Sequence, residues 1–289
     1  MTGGELRFRL LTHEVEISCD SSELLHSLRF LAQDAEQGGD AIARIHFAVE
    51  TRSPGRLVVS ADGAPAGIAL DPDGARDLIY SVLHQAVHDS LAPHMRVHAG
   101  LATLDGRRVL FVGRKGAGKT TLMLGLLADG VEVHADEMVL IDDRLMATPW
   151  PRRFHAREGT FRLIPGLTAL RPHLPAQPDP DGKTVRAISP RDLGRPWRIS
   201  TGLVDDIVFI RPAHGQSSRI APLEATKAVR RLTRRTTFPD RSITWLSAPF
   251  RLIHCSRTFL LYNGSLEESK TLLFDLFRGS CRAGDSANG

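Results

Sequence analysis

The chain has 289 residues, a formal net charge of +4 and a sequence pI near 9.2. Hydrophobic residues make up 42% and charged residues 24% of it, which is typical of a globular protein of one or two domains. No apolar run approaches the roughly 20 residues that a membrane-spanning helix needs. Basic residues are scattered and aromatic residues are only 6%. We therefore expect neither a membrane nor a nucleic acid as partner.

The cysteines indicate the compartment. Cys19, Cys255 and Cys281 are odd in number and show no metal-ligand spacing, so reduced thiols are expected. Reduced thiols favour a cytoplasmic location. The first residues lack the basic start and apolar core of a signal peptide, which agrees with that expectation.

Short alternating stretches and few helix patterns predict a small α+β module over residues 1–92. Asp71 opens a long amphipathic helix that ends near Pro93, where we place the module boundary. Strands are predicted at residues 6–11, 14–17, 44–50, 57–60 and 67–70. The module carries no recognisable chemistry, so substrate docking, oligomer contact and packing support all stay open as its role.

A β-hairpin is predicted next, because strands predicted at 96–104 and 109–112 flank the turn signal Asp105-Gly106. A hairpin at this place indicates a mixed rather than a parallel sheet. It leads into residues 113–121, which read Gly-Arg-Lys-Gly-Ala-Gly-Lys-Thr-Thr and fit the P-loop, or Walker A, pattern. A buried strand before this motif and helically spaced apolar residues after it supply the expected context.

The chemistry of this motif is phosphate binding. Glycines let backbone N–H groups close around phosphate oxygens, and the following helix offers its positive N-terminus to the same anion. Lys119 would reach the outer phosphates, and the Thr120 hydroxyl would bind Mg²⁺. The expected nucleotide-binding residues are Gly113, Arg114, Lys115, Gly116, Ala117, Gly118, Lys119, Thr120 and Thr121. The alternative is a glycine-rich turn that holds no nucleotide.

Acidic residues at three places are candidates to complete the site. Asp136 and Glu137 follow a predicted strand, and a strand end beside a P-loop is where α/β sheets bind ligands. Asp142 ends an apolar run and resembles a Walker B acid, although a solvated turn is the favoured interpretation. Asp205-Asp206 precede the apolar run 207–210 and so lie at the wrong end of their strand. We favour the adjacent pair, since one carboxylate can accept a proton while the other binds Mg²⁺.

The rest of the chain is predicted to alternate loops, strands and helices. Six prolines between residues 171 and 198 indicate a long loop. Strands are predicted at 203–210, 250–254 and 258–262, and helices at 222–233 and 266–277. Arginines near the end of the first helix are expected to face solvent; they are Arg230, Arg231, Arg234 and Arg235.

Three segments together resemble a known family. They are His98-Ala99-Gly100, the glycine-rich motif at 113–121 and Ala135-Asp136-Glu137. At this spacing they resemble the HPr kinase/phosphorylase family, and more closely the HPr-kinase-related serine kinases of peptide and natural-product tailoring pathways, such as lasso-peptide kinases. The resemblance is firm over residues 96–143, looser to about 278, and does not clearly cover residues 1–90.

The resemblance implies an α/β fold: a P-loop kinase domain of the HPr kinase/phosphoenolpyruvate carboxykinase type with a mixed sheet, over residues 93–289. It implies a phosphotransferase that uses ATP and Mg²⁺ and has an alcohol group as acceptor. Asp136 falls on the catalytic base, Thr120 and Glu137 on metal-binding positions, and His98 on a histidine near the reacting phosphates. A core histidine is the alternative for His98.

The sequence departs from the family at several positions. The second acid is Glu137 rather than aspartate, Thr120 replaces serine, and the signature that supports phosphorylase activity is missing. Those differences put HPr as substrate, and a reverse reaction, in doubt. Arg153, Arg157 and Lys183 are possible phosphate or substrate contacts, with a solvated basic loop as the alternative.

The sequence thus predicts a kinase that binds a nucleotide and phosphorylates a hydroxyl, on a peptide, a protein or a small biosynthetic intermediate. A nucleotide-binding regulatory module without catalysis is the second hypothesis. A nucleotide hydrolase that uses Asp142 is the third, ranked last because no residue that would orient a water stands out. Family members are often multimers, so a homo-oligomer is possible.

Overall fold

The computed structural model describes residues 3–32, 34–174, 176–178 and 182–278. The chain divides into two compact units between Ala92 and Pro93. Cys19 is a buried free thiol and Cys255 an exposed one, whereas Cys281 lies outside the described residues. Across the described ranges, no helix combines the length and the apolar character needed to cross a membrane.

The first unit contains one five-stranded sheet and two helices. Its elements are β1 (Gly4–Leu10), β2 (His13–Cys19), α1 (Ser22–Leu28), a 3₁₀ turn (Arg29–Leu31), β3 (Glu36–Gln37), β4 (Ala43–Ser53), β5 (Arg56–Ala61), β6 (Ala64–Ala69) and α2 (Pro72–Ser90). The sheet order is β1-β2-β4-β5-β6, and only the β2–β4 pair is parallel. Predicted strands at 6–11, 14–17, 44–50 and 57–60 are therefore confirmed within a few residues, and the strand at 67–70 begins earlier.

Helix α2 forms where the sequence predicts it because both its cap and its apolar face fit. The Asp71 carboxylate accepts a hydrogen bond from the Gly74 N–H at 2.7 Å, which satisfies one of the free donors of the first turn. Ile79 and Leu83, one turn apart, are buried, as are Phe47 and Val59 of the sheet. Alternation along the strands and 3.6-residue spacing along the helix thus produce one core.

The second unit is built from several sheets and six helices in its described part. Its strands are β7 (Met95–Val97), β8 (Ala99–Leu104), β9 (Arg107–Gly113), β10 (Glu132–Ala135), β11 (Val139–Ile141), β12 (Ala147–Pro149), β13 (Phe154–Arg157), β14 (Ala176–Pro178), β15 (Thr184–Ile188), β16 (Arg198–Ile199), β17 (Asp206–Pro212), β18 (Arg219–Pro222), β19 (Thr236–Thr237) and β20 (Arg257–Asn263). Its helices are α3 (Lys119–Ala128), α4 (Glu158–Leu163), α5 (Pro165–Thr168), α6 (Ala225–Thr233), α7 (Ile243–Cys255) and α8 (Leu266–Arg278), with 3₁₀ turns at Arg171–His173 and Pro190–Leu193.

The central sheet has the order β10-β8-β9-β17-β20-β18. Strands β10, β9, β17 and β20 run in one direction, and β8 and β18 run in the other. The predicted hairpin is β8–β9, which turns at Asp105-Gly106 with both residues at positive φ. The hairpin and the mixed sheet expected from it are confirmed, and the chain is a mixed α/β protein.

Helices cover both faces of this sheet because the strand residues alternate between two buried sides. Phe111 faces the core that includes residues of α3 and α8. Its neighbour Val112 faces the core that includes residues of α6 and α7, such as Leu232 and Trp245. Strand β9 is therefore buried on both sides, which explains its continuous apolar sequence.

Three predicted elements are corrected by the structure. Residues 250–254 lie inside helix α7 rather than in a strand, because the apolar spacing of Trp245, Ala248 and Leu252 is helical. The region 171–198, expected to be a long loop, contains β14, β15, the start of β16 and both later 3₁₀ turns. Pro172 and Pro190 lie in the first turns of the 3₁₀ segments, and Pro178 ends β14. The strand predicted at 203–210 begins only at Asp206.

Asp206 ties three strands together at the end of the sheet where β17 begins. Its side chain is fully buried, and its two oxygens accept hydrogen bonds of 2.6 Å from Arg107 Nε and Arg257 Nε. The two arginine side chains are 30% and 44% exposed, so water weakens each ion pair without replacing it.

Replacing this carboxylate should destabilise the fold. Asp206→Asn keeps the shape but leaves two guanidinium groups facing a buried amide, and we expect a loss of about 2 kcal/mol in unfolding free energy. Urea unfolding followed by circular dichroism measures it. Asp275→Asn, an exposed residue of α8, is the matched control and should change stability by less than about 0.5 kcal/mol. Equal stability of the two variants would contradict the role given to Asp206.

Candidate functional site

The candidate site lies at one edge of the central sheet. Gly113 ends β9, and β10, which runs in the same direction, ends at Ala135, immediately before Asp136. Strand β8 runs the opposite way, so His98, directly before it, comes to this same edge. Topology therefore collects residues from three separate segments at the carboxyl end of the parallel strands, where α/β folds bind ligands.

The loop between β9 and α3 has the backbone geometry that its glycines permit. Gly116 and Gly118 have φ values of 77° and 84°, in the left-handed region that disfavours side chains. The Ala117 N–H donates to the Arg114 carbonyl at 3.0 Å, which closes a turn. Helix α3 then starts at Lys119 without a side-chain cap, so its first N–H groups remain available to an anion.

Asn263, at the end of β20, supports this loop from outside the motif. Its side-chain Nδ2 donates to the Ala117 carbonyl at 3.2 Å, and its Oδ1 accepts from Ser269 Oγ at 2.8 Å. A Cβ placed on Gly118 would lie only 2.6 Å from Asn263 Nδ2. The asparagine therefore occupies the space beside that glycine and fixes the loop against the sheet.

Lys119 is buried, with 6% of its surface exposed, and points along the sheet edge. Its Nζ donates to the backbone carbonyl of Asp136 at 2.6 Å and lies 3.2 Å from His98 Nε2. Burial lowers the pKa of Lys119, while the nearby Asp136 and Glu137 carboxylates act to raise it. The ammonium group thus sits beside the acidic pair.

Asp136 is the buried member of that pair, at 7% exposure. Burial raises its pKa, and both Lys119 and a hydrogen bond from the Thr120 hydroxyl partly oppose that rise. Its Oδ1 atom is buried without a hydrogen-bond partner. A buried carboxylate oxygen without a partner is costly for a fold, which makes this atom a candidate to contact a bound group.

Glu137 has different surroundings, with 48% of its side chain exposed. Partial desolvation acts to raise the pKa of Glu137, but Arg152, His155 and Lys119 outweigh it and lower the pKa. Arg152 Nη1 pairs directly with Glu137 Oε2, and its Nη2 lies 3.5 Å from His155 Nδ1. The two adjacent acids are therefore tuned apart, with Glu137 kept ionised and Asp136 shifted toward protonation.

His98 contacts this group from the far side of Lys119. Its backbone N–H donates to the Arg235 carbonyl at 2.8 Å, which fixes the position of the residue. Burial is the main cause, and the Lys119 charge the second, that lowers the pKa of His98 to about 4. Its imidazole is therefore neutral at pH 7 and can share a proton with Lys119 or with a bound group.

The remaining predicted residues lie at varied distances from this centre. Arg114 and Lys115 are exposed on the loop, and the Thr121 hydroxyl lies 3.0 Å from Thr160 Oγ1, so it links α3 to α4. These contacts give Thr121 a place in the packing of the helix.

The proposed phosphate-contacting side chains separate into two places. Arg153 lies 3.9 Å from Asp192, in the 3₁₀ turn that follows β15. Arg157 ends β13 and is paired with Val185, so the exposed Lys183 lies near the same end of that small sheet. Arg152, which the sequence analysis did not select, is the arginine that contacts Glu137.

Two other acidic candidates have partners that explain them structurally. Asp142 Oδ1 accepts from the Arg144 and Met146 N–H groups at 2.9 and 2.8 Å, so it closes the turn between β11 and β12. Asp206 is paired with Val109, four residues before Gly113, which corresponds to roughly 13 Å along the strand. These acids serve the fold at other places.

Asn263 and Arg152 are the site residues that sequence reasoning missed. Asn263 directly follows the strand predicted at 258–262, and nothing local shows that its side chain reaches Ala117, 146 residues earlier. Arg152 is the direct neighbour of Arg153 in the sequence. The buried Trp150 and Phe154 that flank them offered a weak signal, since a fixed backbone positions arginines better than a mobile loop does.

The oxygen atoms around Asp136 suit a magnesium ion. Mg²⁺ binds through one or two carboxylates, a hydroxyl and phosphate oxygens, and it needs no all-protein cage. The Thr120 hydroxyl, which hydrogen-bonds to the buried Asp136 carboxylate, and the Glu137 carboxylate supply such oxygens, and the unpartnered Oδ1 of Asp136 marks a place for a further polar group beside them. No cluster of three or more His, Cys, Asp or Glu residues that would hold a metal alone occurs among the described residues.

Comparison with solved structures finds a similarity to the HPr(Ser) kinase/phosphatase from Coxiella burnetii. The match has 13% sequence identity and a TM-score of 0.32, and it covers 65% of this chain and 95% of that chain. No protein-family model matches the chain, and no curated protein does. A similarity this low carries no functional conclusion, so the chemistry has to come from the geometry of the site.

The surroundings of His98 predict that its side chain titrates at a lower pH than an exposed histidine. Because burial and the Lys119 charge both disfavour the imidazolium, we expect His98 to stay neutral down to about pH 4 in the ligand-free protein. Side-chain ¹⁵N–¹H NMR measures this pKa, with His98→Gln to assign the signal. Lys119→Met removes one cause and should raise the pKa of His98 toward 6.5. A wild-type pKa near 6.5 would contradict this arrangement.

Proposed function

We propose that the protein is an ATP- and Mg²⁺-dependent kinase that transfers the γ-phosphoryl group to a hydroxyl, of the serine type, and that its second unit is an HPr-kinase-like P-loop domain. The observation that carries the proposal is the Asp136 carboxylate, buried with one oxygen unpartnered, beside Lys119 and Thr120 at the start of α3. A cradle for phosphate and a candidate base thus lie within one group of contacts.

The cradle supplies positive charge without moving parts. The left-handed glycines and the uncapped start of α3 present backbone N–H groups, and the Lys119 ammonium lies beside them. Lys119 would exchange its hydrogen bond to the Asp136 carbonyl for one to a phosphate oxygen. Phosphoryl transfer needs little covalent chemistry from a protein, so fixed charge and positioning account for most of the rate.

Asp136 is the proposed base. Burial raises the pKa of Asp136 above that of an exposed aspartate, and a carboxylate with a higher pKa is a better proton acceptor. The acceptor hydroxyl would give its proton to Asp136 as its oxygen forms the new bond to phosphorus, and ADP would leave with the electrons of the broken bond. His98, neutral beside Lys119, would accept a hydrogen bond from the ammonium and orient it.

Thr120 and Glu137 are the proposed metal-associated residues. Mg²⁺, when bound, neutralises charge on the phosphate oxygens. Arg152 holds the Glu137 carboxylate in place and keeps it ionised, which suits a metal-associated role rather than a proton-accepting one. This division assigns the two neighbouring acids to different tasks, as their different surroundings suggest.

The acceptor class stays a proposal at the level of a hydroxyl on a peptide, a protein or a small biosynthetic intermediate. A cytoplasmic location and a possible homo-oligomer remain predictions from the sequence. The hydrolase alternative is weakened by Asp142, because a Walker B role requires a free carboxylate near the metal and this carboxylate closes a turn.

The proposal predicts that binding and transfer can be separated. Asp136→Asn should keep nucleotide affinity within about threefold and lower phosphoryl transfer by at least 10³-fold, because the proton acceptor is lost while the cradle is intact. Fluorescent-nucleotide titration measures the first quantity. Transfer from γ-labelled ATP with Mg²⁺ to serine-containing peptide and metabolite pools measures the second. Lys119→Met should impair both.

Asp142→Asn is the matched control, since it removes an equivalent carboxylate from a turn in the same unit and should leave transfer unchanged. Full transfer by Asp136→Asn would remove that residue from the mechanism. Nucleotide binding without any labelled acceptor would favour the regulatory module. Acceptor-independent phosphate release that is lost in Asp142→Asn would favour the hydrolase.

A further inference from the structure

A basic cavity of about 460 Å³ opens beside the loop of the candidate site, at the carboxyl ends of β9 and β17. Its walls bring together arginines from three separate segments with the first residues of the loop. The residues that line the cavity include Gly113, Arg114, Arg211, Arg231, Arg234 and Arg235. We call this space the arginine cavity.

Within the described part of the chain, the arginine cavity has no acidic partner. No acidic side chain lines it, and no carboxylate among the described residues forms an ion pair with Arg231, Arg234 or Arg235. Elsewhere the same unit pairs its arginines closely, as Arg107 and Arg257 show at Asp206. Like charges gathered in a concave space repel one another, and a bound anion relieves that repulsion.

The arginine cavity adjoins the candidate active site but lies on the other face of the sheet from helix α3. Arg231 lies on α6, whose neighbours Ala228 and Leu232 pack in the core opposite to α3. Arg235 connects the two places, since its carbonyl accepts the His98 N–H at 2.8 Å. A group bound in the cavity would therefore lie close to the loop without occupying the helix N-terminus.

The chemistry of the cavity defines the ligand class. Guanidinium groups present planar pairs of donors that match phosphate and carboxylate oxygens. Arg231 is half-buried and the others are more exposed, so the site is polar and open rather than an apolar pocket for a nucleobase. Its volume suits a small molecule or a few side chains. From sequence alone, Arg231, Arg234 and Arg235 were predicted to be solvated at a helix end, but in the structure they lie beside the ends of β9 and β17.

We propose that the arginine cavity binds an anionic group, phosphate or carboxylate, of the molecule whose hydroxyl is phosphorylated. This inference rests on the proposed kinase function and deepens it. The acceptor would be held by its negative charge on one side of the loop, which orients its hydroxyl toward Asp136. The acceptor is then an already anionic metabolite or an acidic peptide segment, rather than a neutral alcohol.

Inorganic phosphate and citrate are the probes, one for each anion class. They are titrated into the full chain saturated with Mg²⁺ and the non-hydrolysable β,γ-imido analogue of ATP, and into ligand-free Lys119→Met. The arginine Nε–Hε NMR signals of Arg211 and Arg235, which also line the cavity and are kept in every variant compared below, report on binding after assignment by Arg→Gln variants. We expect saturable shifts in both samples, with affinity at least tenfold weaker in Arg231→Gln/Arg234→Gln. The affinity should be unchanged in Arg230→Gln, a neighbour on α6 that does not line the cavity.

Three results would overturn the proposal. One is anion binding that the double variant does not weaken. The second is loss of anion binding when the ATP analogue is bound, which would make the cavity part of the nucleotide site. The third is displacement of phosphate by a single-stranded oligonucleotide at micromolar concentration, which would indicate a nucleic-acid partner. If Asp136→Asn retains full transfer while the arginine signals still respond to phosphate, the kinase mechanism fails and an anion site remains.

Discussion

The arrangement of the site depends on one buried ammonium group. Lys119 Nζ is held by a backbone carbonyl at the turn after β10, so a single hydrogen bond ties the start of α3 to the acidic pair. Burying such a charge is costly unless polar groups surround it, and here Asp136, Glu137 and His98 do so. The distance between phosphate cradle and candidate base is therefore set by the fold before a ligand arrives, which lowers the cost of organising the site on binding.

The groups around that ammonium are sorted by charge across the sheet edge. Carboxylates lie toward β10, and the arginines of the arginine cavity lie toward β17, with the glycine-rich loop between them. Such a gradient orients an asymmetric anion in one direction. Asn263 contributes no charge; it only fixes the loop backbone at Ala117, and Ser269 fixes Asn263. In the proposed kinase, phosphate binding, proton transfer and loop rigidity would thus depend on different side chains.

The sequence was sufficient where the information is local. The hairpin follows from Asp105-Gly106 between apolar stretches, and the strand–loop–helix order around residues 113–121 follows from glycines next to apolar runs. It was insufficient where contacts join distant segments. Residues 250–254 of helix α7 were predicted as a strand because so short an apolar run does not distinguish a strand from a buried helix. The contacts of Arg152 and Asn263, and the arginine cavity, depend on which strands become neighbours. The sequence does not state which strands pair, so it does not show which arginine contacts a carboxylate and which lines a cavity.

The β8–β9 hairpin also affects the order in which parts of the second unit fold. Its two strands are joined by a two-residue turn, so their pairing closes a very short loop, whereas β9 meets β17 only after about ninety intervening residues. Short-range pairings form quickly and long-range parallel ones slowly. The glycine-rich loop is therefore attached to an early nucleus but acquires its Asn263 support late. In a nascent or partly unfolded chain, the glycine-rich loop could lie between β9 and α3 without the Asn263 contact that fixes its backbone. The affinity for a ligand at this loop would therefore report on completed tertiary structure.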